Sequence, residues 1–303
     1  MHFTEDDFEN AILELFREQL GYDYVYGPNV IRDYAEPLYV EALEAVLPQI
    51  NRGLPQAAID EAMVKIRTYE GGTLVQKNEL FTDYLQNGVA VNYFDGREQC
   101  SANVRLVDYD SPLHNRFTIA NQWTVDGHSV RRADMIVFVN GLPLVVVELK
   151  SPSRENTDVS EAYAQLRNYM QEIPSLFIYN AFCVMSDQGM TKAGTITAGM
   201  FEKTRFVELL RNFICYSKDG KQRVKILSAY HQFYAVRKAV LSTVKAAETD
   251  GRGGVFWHTQ GSGKSLSMVF FAKQLQQAMS SPTIVVLTDR NDLDGQLYRQ
   301  LAC

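Results

Sequence analysis

At 303 residues the chain is long enough for two domains, and its 46% apolar and 22% charged content is that of a globular protein, which excludes disorder over most of its length. A formal net charge of −6 excludes a global electrostatic footprint for nucleic acid, so any such contact must come from a local basic patch or from metal ions. Cys100, Cys183, Cys215 and Cys303 stand far apart with no CxxC pair, which speaks for reduced thiols rather than a zinc site or a disulfide framework. The acidic start MHFTEDDFEN lacks the apolar core of a signal peptide, and no apolar run reaches the roughly 20 residues of a membrane helix, so the expected location is cytoplasmic.

Residues 4 to 20 predict an amphipathic helix with Phe8, Ile12, Leu15 and Phe16 as its apolar stripe. Glu9 shares helical spacing with Leu13, Phe16 and Leu20, so its carboxylate sits at the edge of the buried face. Helical patterns recur at 33–50 and 56–70. From residue 87 the period shortens to that of strands, in VAVNYF, SANVRLVDY and RFTIANQWTV, with two further strands near 133–139 and 143–149. A helix over 160–173 and a strand over 176–186 follow. Residues 187–199 are rich in Gly and Thr and show no clear period.

A helix near 202–215, a KDGK turn at 218–221 and a helix at 229–246 lead to GGVFWHTQ, GSGKSLSMVFFAKQLQQAM and TIVVLTDR, which read as strand, Gly-rich loop, helix and strand. These changes of period divide the chain into an α/β domain over 1–200, a connecting helix and linker over 201–221, and the start of a second α/β domain over 222–303.

The stretch RRADMIVFVNGLPLVVVELKSPS (131–153) concentrates the chemistry. LPLVVV marks a buried central strand, yet it ends in Glu148 and Lys150, which leave the same face. Asp134 lies on the partner strand. A strict two-residue Asn140-Gly141 turn pairs Val139 with Leu142 and puts Asp134 and Glu148 on opposite faces. A bulge or a three-residue connection near Pro143, which has no N–H for a ladder, restores the parity. Two carboxylates so joined can hold Mg²⁺, which lowers the pKa of a bound water and offsets charge on a phosphate, while Lys150 orients that water. A plain ion pair at a strand end is the competing reading. Gln165 and Tyr169 follow on one helical face.

Asp134, Glu148-x-Lys150 and Gln165-x-x-x-Tyr169 resemble the PD-(D/E)xK nuclease core with its QxxxY extension, here with Ala133 in place of the usual proline. The combination is similar to the motor (restriction, R) subunit of type I restriction enzymes and, less closely, to nuclease–helicases of the RecB type. The resemblance implies a mixed sheet flanked by helices, catalytic roles for Asp134, Glu148, Lys150, Gln165 and Tyr169, and a metal held by Glu9, Asp134 and Glu148, since the first helix of such folds commonly supplies a glutamate.

The second constellation is TQGSGKS (259–265) between an apolar stretch and a helix. Backbone N–H groups at a helix N-terminus cradle phosphates, with Lys264 reaching the β- and γ-phosphates and Ser265 a metal ion. His258 stands where the strict P-loop pattern has glycine, and the rest resembles motif I of superfamily 2 helicases. That resemblance implies ATP binding by Thr259, Gly261, Ser262, Gly263, Lys264 and Ser265, an adenine-reading role for Gln232, and a DNA contact at Arg290. It also implies the leading part of a RecA-like parallel α/β motor, able to touch ATP but not to hydrolyse it without later elements.

The implied function is Mg²⁺-dependent cleavage of double-stranded DNA coupled to ATP-driven translocation, in complex with specificity and methyltransferase subunits. A RecB-type nuclease–helicase and a non-cleaving ATP-responsive DNA-binding module are the alternatives. Type I subunits usually carry an additional segment near TITAGMFEKTRF (195–206), where this chain is short.

Overall fold

The computed structural model describes residues 5–150, 159–187, 199–219, 222–280 and 282–287. The chain divides into two compact units, Met1–Val207 and Glu208–Cys303. The boundary falls inside helix α7 (Lys203–Asn212), within the stretch read as a connector.

The first unit is built on a five-stranded mixed sheet. Its strands are β1 (Asp23–Tyr26), β4 (Phe117–Asp126), β5 (Val130–Val139), β6 (Leu142–Lys150) and β7 (Phe182–Asp187), side by side in that order. The β1–β4 and β6–β7 pairs are parallel, and the two inner pairs antiparallel. From Met135 to Val139 and from Leu142 to Val146 every residue is buried. Such unbroken apolar runs are those of strands covered on both faces.

Helix α5 (Val159–Glu172) lays Leu166 and Tyr169 into one cluster with Ala120, Trp123, Val125, Ala133, Ile136, Phe138 and Val146. Trp123 and Phe138 meet edge to face at 4.9 Å in its centre. Helices α2 (Val40–Ile50), α3 (Gln56–Arg67) and α4 (Leu74–Asn87) contribute Leu43, Leu47, Ile59 and Phe81 to the buried core. Strands β2 (Val89–Phe94) and β3 (Gln99–Val104) form a separate antiparallel ribbon against α3.

Several boundaries differ from the sequence pattern. The helix expected from residue 33 begins only at Val40. Glu36 precedes Pro37, a position that disfavours helix, and side chains compete for the backbone there: Asp33 accepts from Ala35 N and Glu36 from Leu38 N. The strand expected from 176 is first a short helix, α6 (Pro174–Ile178), opened by a proline at its first position, where the missing N–H costs nothing. Strand β1 and helix α4 lie where the sequence pattern predicts no element. Helix α4 nevertheless carries a legible start signal, the capping box of Thr73 and Gln76.

In the second unit β8 (Ile214–Asp219) and β9 (Gln222–Leu227) form an antiparallel ribbon, followed by α8 (Tyr230–Ala247) and α9 (Lys264–Ala278). Phe213 bridges the unit's core, 4.5 Å from Phe233 and 5.6 Å from Phe270. The segments 254–257 and 283–287, expected as strands, have no ladder partners among the described residues, and Val255, Trp257, Val285 and Leu287 are exposed. Apolar period alone does not make a strand, which needs a neighbour for its N–H and C=O groups.

The Asn140-Gly141 turn anchors the central hairpin. Both residues have positive φ (53° and 84°), as a two-residue primed turn requires. Asn140 is fully buried; its side chain donates to Leu106 O and Asn115 Oδ1 and accepts from Arg116 N. A Cβ on Gly141 would stand 2.3 Å from Tyr39 O. Gly141→Ala should therefore destabilise the unit by about 2 kcal/mol or more, combining the left-handed penalty with the clash. Urea unfolding measures it, and an unchanged midpoint would mean that the turn relaxes freely.

Candidate functional site

The parity problem of the hairpin is resolved inside β6. Val139 pairs with Leu142 and Phe138 with Pro143, but Val137 pairs with Val145 and Met135 with Val147. Leu144 is the extra residue, a β-bulge beside the proline. Its carbonyl turns to the other side and accepts from Ala181 N at 2.6 Å and Asn180 Nδ2 at 3.3 Å. The bulge gives Asp134 and Glu148, the residues next to the last pair Met135 and Val147, matching positions on their strands, and Asp134 Oδ2 accepts from Leu149 N at 2.9 Å.

Glu148 is wholly buried and Asp134 partly so. Lys150 closes β6 two residues later, its backbone opposite Asp187 of β7. Helix α5 brings Gln165 and Tyr169 to the same place. Gln165 Nε2 donates to the Tyr169 hydroxyl at 2.8 Å, and that hydroxyl donates to Arg132 O at 3.3 Å. Burial pushes the Tyr169 hydroxyl up to about 12; the Gln165 bond opposes the shift, and the nearby charges of Glu148 and Asp134 add to it.

Glu9, on α1 (Glu5–Glu14), is tied to β4 rather than directly to the pair. Asn121 Nδ2 donates to Glu9 Oε1 at 2.6 Å and Gln122 Nε2 to Glu9 Oε2 at 3.4 Å. Sequence reasoning missed Asn121 and Gln122. Two adjacent amides in the middle of a strand with apolar residues on both sides were the available signal.

Asp134 and Glu148 present hard oxygen donors on neighbouring strands, the donor chemistry that suits a small divalent cation. A separate group that could hold a metal, exposed Asp95 and Glu98 with half-buried Cys100, lies at the β2–β3 turn, with Asp95 Oδ1 already accepting from Arg97 N and Glu98 N.

In the second unit Gly263, left-handed at φ 76°, opens helix α9, as a phosphate loop requires. Lys264 Nζ donates to His258 O and Thr259 O, both at 3.0 Å. The loop carries Gly261, also left-handed, and half-buried Ser262, and Ser265 follows half-buried in the first turn of the helix. Gln232 is buried with both ends of its amide on backbone: it accepts from Ala229 N at 2.9 Å and donates to Gly263 O at 3.0 Å. The amide expected to read adenine thus braces the loop in this structure. Arg290 lies outside the described residues.

The family model described as "Type I restriction enzyme R protein N terminus" matches residues 2–200. The chain belongs to this family. A second model, "SWI2/SNF2 ATPase", matches residues 231–303. Relatives of the family include the type I restriction enzyme HindI endonuclease subunit of Haemophilus influenzae, 36% identical over 98% of this chain and 32% of that protein. The putative type I restriction enzyme MjaIXP endonuclease subunit of Methanocaldococcus jannaschii is 30% identical over 96% of this chain and 33% of its own length. The chain spans about a third of the length of these curated relatives. The Haemophilus alignment runs over 342 residues, longer than the chain itself, so residues are present there that this chain lacks. Among the described residues no helix is long and apolar enough to cross a membrane.

The raised Tyr169 pKa has a stability consequence. The folded value, about 12, lies above the ordinary 10.0, so the neutral phenol contributes stability that is fully present below pH 10 and is lost as pH rises toward 12. Tyr169→Phe carries no such loss. Between those limits the wild type should lose about 2 kcal/mol more than the variant in urea unfolding, and parallel pH profiles would show that the phenol titrates normally.

Proposed function

We propose that the first unit is the Mg²⁺-dependent DNA-cleaving module of a type I restriction R subunit, and the second the leading part of its ATP-driven motor. The observation that supports this is the bulge at Leu144, which gives Asp134 and Glu148 matching positions at the end of a buried strand, where the charges of both act on the Tyr169 hydroxyl.

Asp134 and Glu148 would hold the metal, with Glu9 as a third carboxylate. When bound, the metal supplies an acidified water and neutralises charge on the scissile phosphate. Lys150 would orient that water and contact phosphate oxygens. Gln165 and Tyr169 hold each other and the Arg132 carbonyl, keeping α5 seated over the carboxylates. Burial under α5 keeps bulk water from the pair and strengthens its attraction for a cation.

In the motor part, the backbone of Thr259, Gly261, Ser262 and Gly263 would cradle ATP phosphates. Lys264 would leave the His258 and Thr259 carbonyls to meet them, Ser265 would ligate the nucleotide's metal, and Gln232 would hold the loop while facing adenine. Arg290 is the proposed DNA contact. Double-stranded DNA is the substrate, specificity and modification subunits are the partners, and the cytoplasm is the site of action. The nuclease domain is taken as 1–200, with 201–221 joining it to the motor part at 222–303. The competing non-cleaving module is disfavoured by the presence of all three of Asp134, Glu148 and Lys150.

Plasmid cleavage by the full-length subunit, assembled with its partners and supplied with Mg²⁺ and ATP, tests the reading. Asp134→Ala and Lys150→Ala should each slow cutting on the order of a hundredfold or more, as loss of several kcal/mol of charge stabilisation demands, without stopping translocation. Lys264→Ala should stop ATP-driven translocation. Wild-type cutting by both nuclease variants would overturn the site, and translocation by Lys264→Ala would overturn the nucleotide reading.

A further inference from the structure

Consecutive residues of a β-strand point to opposite faces. Asn121 and Gln122 do not obey this: their amides reach the two oxygens of one carboxylate, that of Glu9. The backbone supplies the reason. Gln122 sits at φ 55°, left-handed, inside the ten-residue strand β4. Non-glycine residues rarely adopt this region, and when they do it is chiefly asparagine and aspartate.

The kink exchanges the faces of the strand. Ala120 before it and Trp123 and Val125 after it all pack into the same cluster, an odd step that regular alternation forbids. Strand β5 repeats the step, with Ala133 and Ile136 both in that cluster. Yet the pairing does not slip: Asn121 is opposite Met135 and Trp123 opposite Ala133. The kinked Gln122 therefore stands opposite Asp134 in the sheet. Both amides are built in. The Tyr24 hydroxyl donates to Asn121 Oδ1 at 3.1 Å, which orients the amide with its Nδ2 toward Glu9. On the other side Gly27 packs so closely that a Cβ would lie 2.6 Å from Gln122 O.

We propose that Asn121 and Gln122 form an amide clamp that holds the Glu9 carboxylate beside Asp134, making Gln122 a positioning residue for the metal site. This rests on the reading of Asp134 and Glu148 as metal ligands. Both oxygens of Glu9 accept from neutral donors, which hold the carboxylate in one orientation. A glycine would satisfy the left-handed backbone more easily, so the kink does not call for glutamine. The amide and its reach do.

The decisive variant is Gln122→Gly, which suits the backbone and removes the amide. In the full-length subunit the melting temperature should hold or rise. The Mn²⁺ dissociation constant, followed by electron paramagnetic resonance, and the Mg²⁺ concentration for half-maximal plasmid cleavage should both rise about tenfold, as for loss of an outer-shell partner of a ligand. Gln122→Asn, which tolerates the left-handed region and keeps a shorter amide, should fall between. In a Glu9→Gln background Gln122→Gly should add nothing, since it acts through Glu9.

A lower melting temperature with unchanged metal dependence would make Gln122 a structural kink alone and overturn the clamp. Full additivity with Glu9→Gln would overturn it as well. Asp134→Ala serves as the control: if that variant binds Mn²⁺ and cuts like wild type, the metal-site reading itself fails, whereas normal loss in Asp134→Ala with no effect of Gln122→Gly removes only the clamp.

Discussion

One residue of β6 without a partner in β5 decides whether there is a site at all. The side-chain period of a strand is two, so a single extra residue moves every later side chain to the other face. Leu144 is that residue. It is stable there because the hairpin is pinned at both sides of it. The turn is buried and hydrogen-bonded through Asn140, Pro143 has no N–H to offer the ladder, and the Leu144 carbonyl is taken up by Ala181 and Asn180. With its carbonyl bonded on the β7 side, Leu144 offers no acceptor to the β5 ladder.

The consequence is electrostatic. Two carboxylates on neighbouring strands, one wholly buried, repel each other in a medium that screens poorly. Their field reaches Tyr169 and helps hold its hydroxyl protonated. Counted from the neighbouring pairs, Gln122, Asp134 and Glu148 occupy matching positions on β4, β5 and β6, with Glu9 joined at the β4 side. Two departures from regular strand geometry, the bulge and the left-handed kink, therefore flank the same carboxylate. Such departures cost stability and persist where surrounding packing fixes them, here the cluster of Trp123, Phe138 and the α5 side chains.

The second unit rests on a different device, a loop that uses backbone rather than side chains. Left-handed Gly261 and Gly263 shape it, and Gln232 braces it from α8 through Gly263 O. A Cβ on Gly263 would stand 2.5 Å from Gln232 Nε2, so brace and glycine depend on each other. Lys264 rests on the loop's own carbonyls, a contact that a phosphate oxygen, being charged, can replace.

Features that depend on near neighbours along the chain are legible before folding. The apolar run of β6, the Glu148-x-Lys150 ending, the helical spacing of Gln165 and Tyr169 and the glycines before Lys264 are all local patterns, and their periods survive folding. Even the need for a register slip followed from counting residues around Asn140-Gly141. Tertiary structure alone decided the rest. That Leu144 would be the residue left out depends on Ala181 and Asn180, far along the chain. That Gln122 would turn left-handed and share Glu9 with Asn121 depends on Tyr24, Gly27 and α1 meeting β4. Conversely, VFW and TIVVL have the composition of strands and no ladder partner among the described residues. A pattern in sequence states what a segment can bury; only its partners, brought from distant positions, decide its register and which side chains meet.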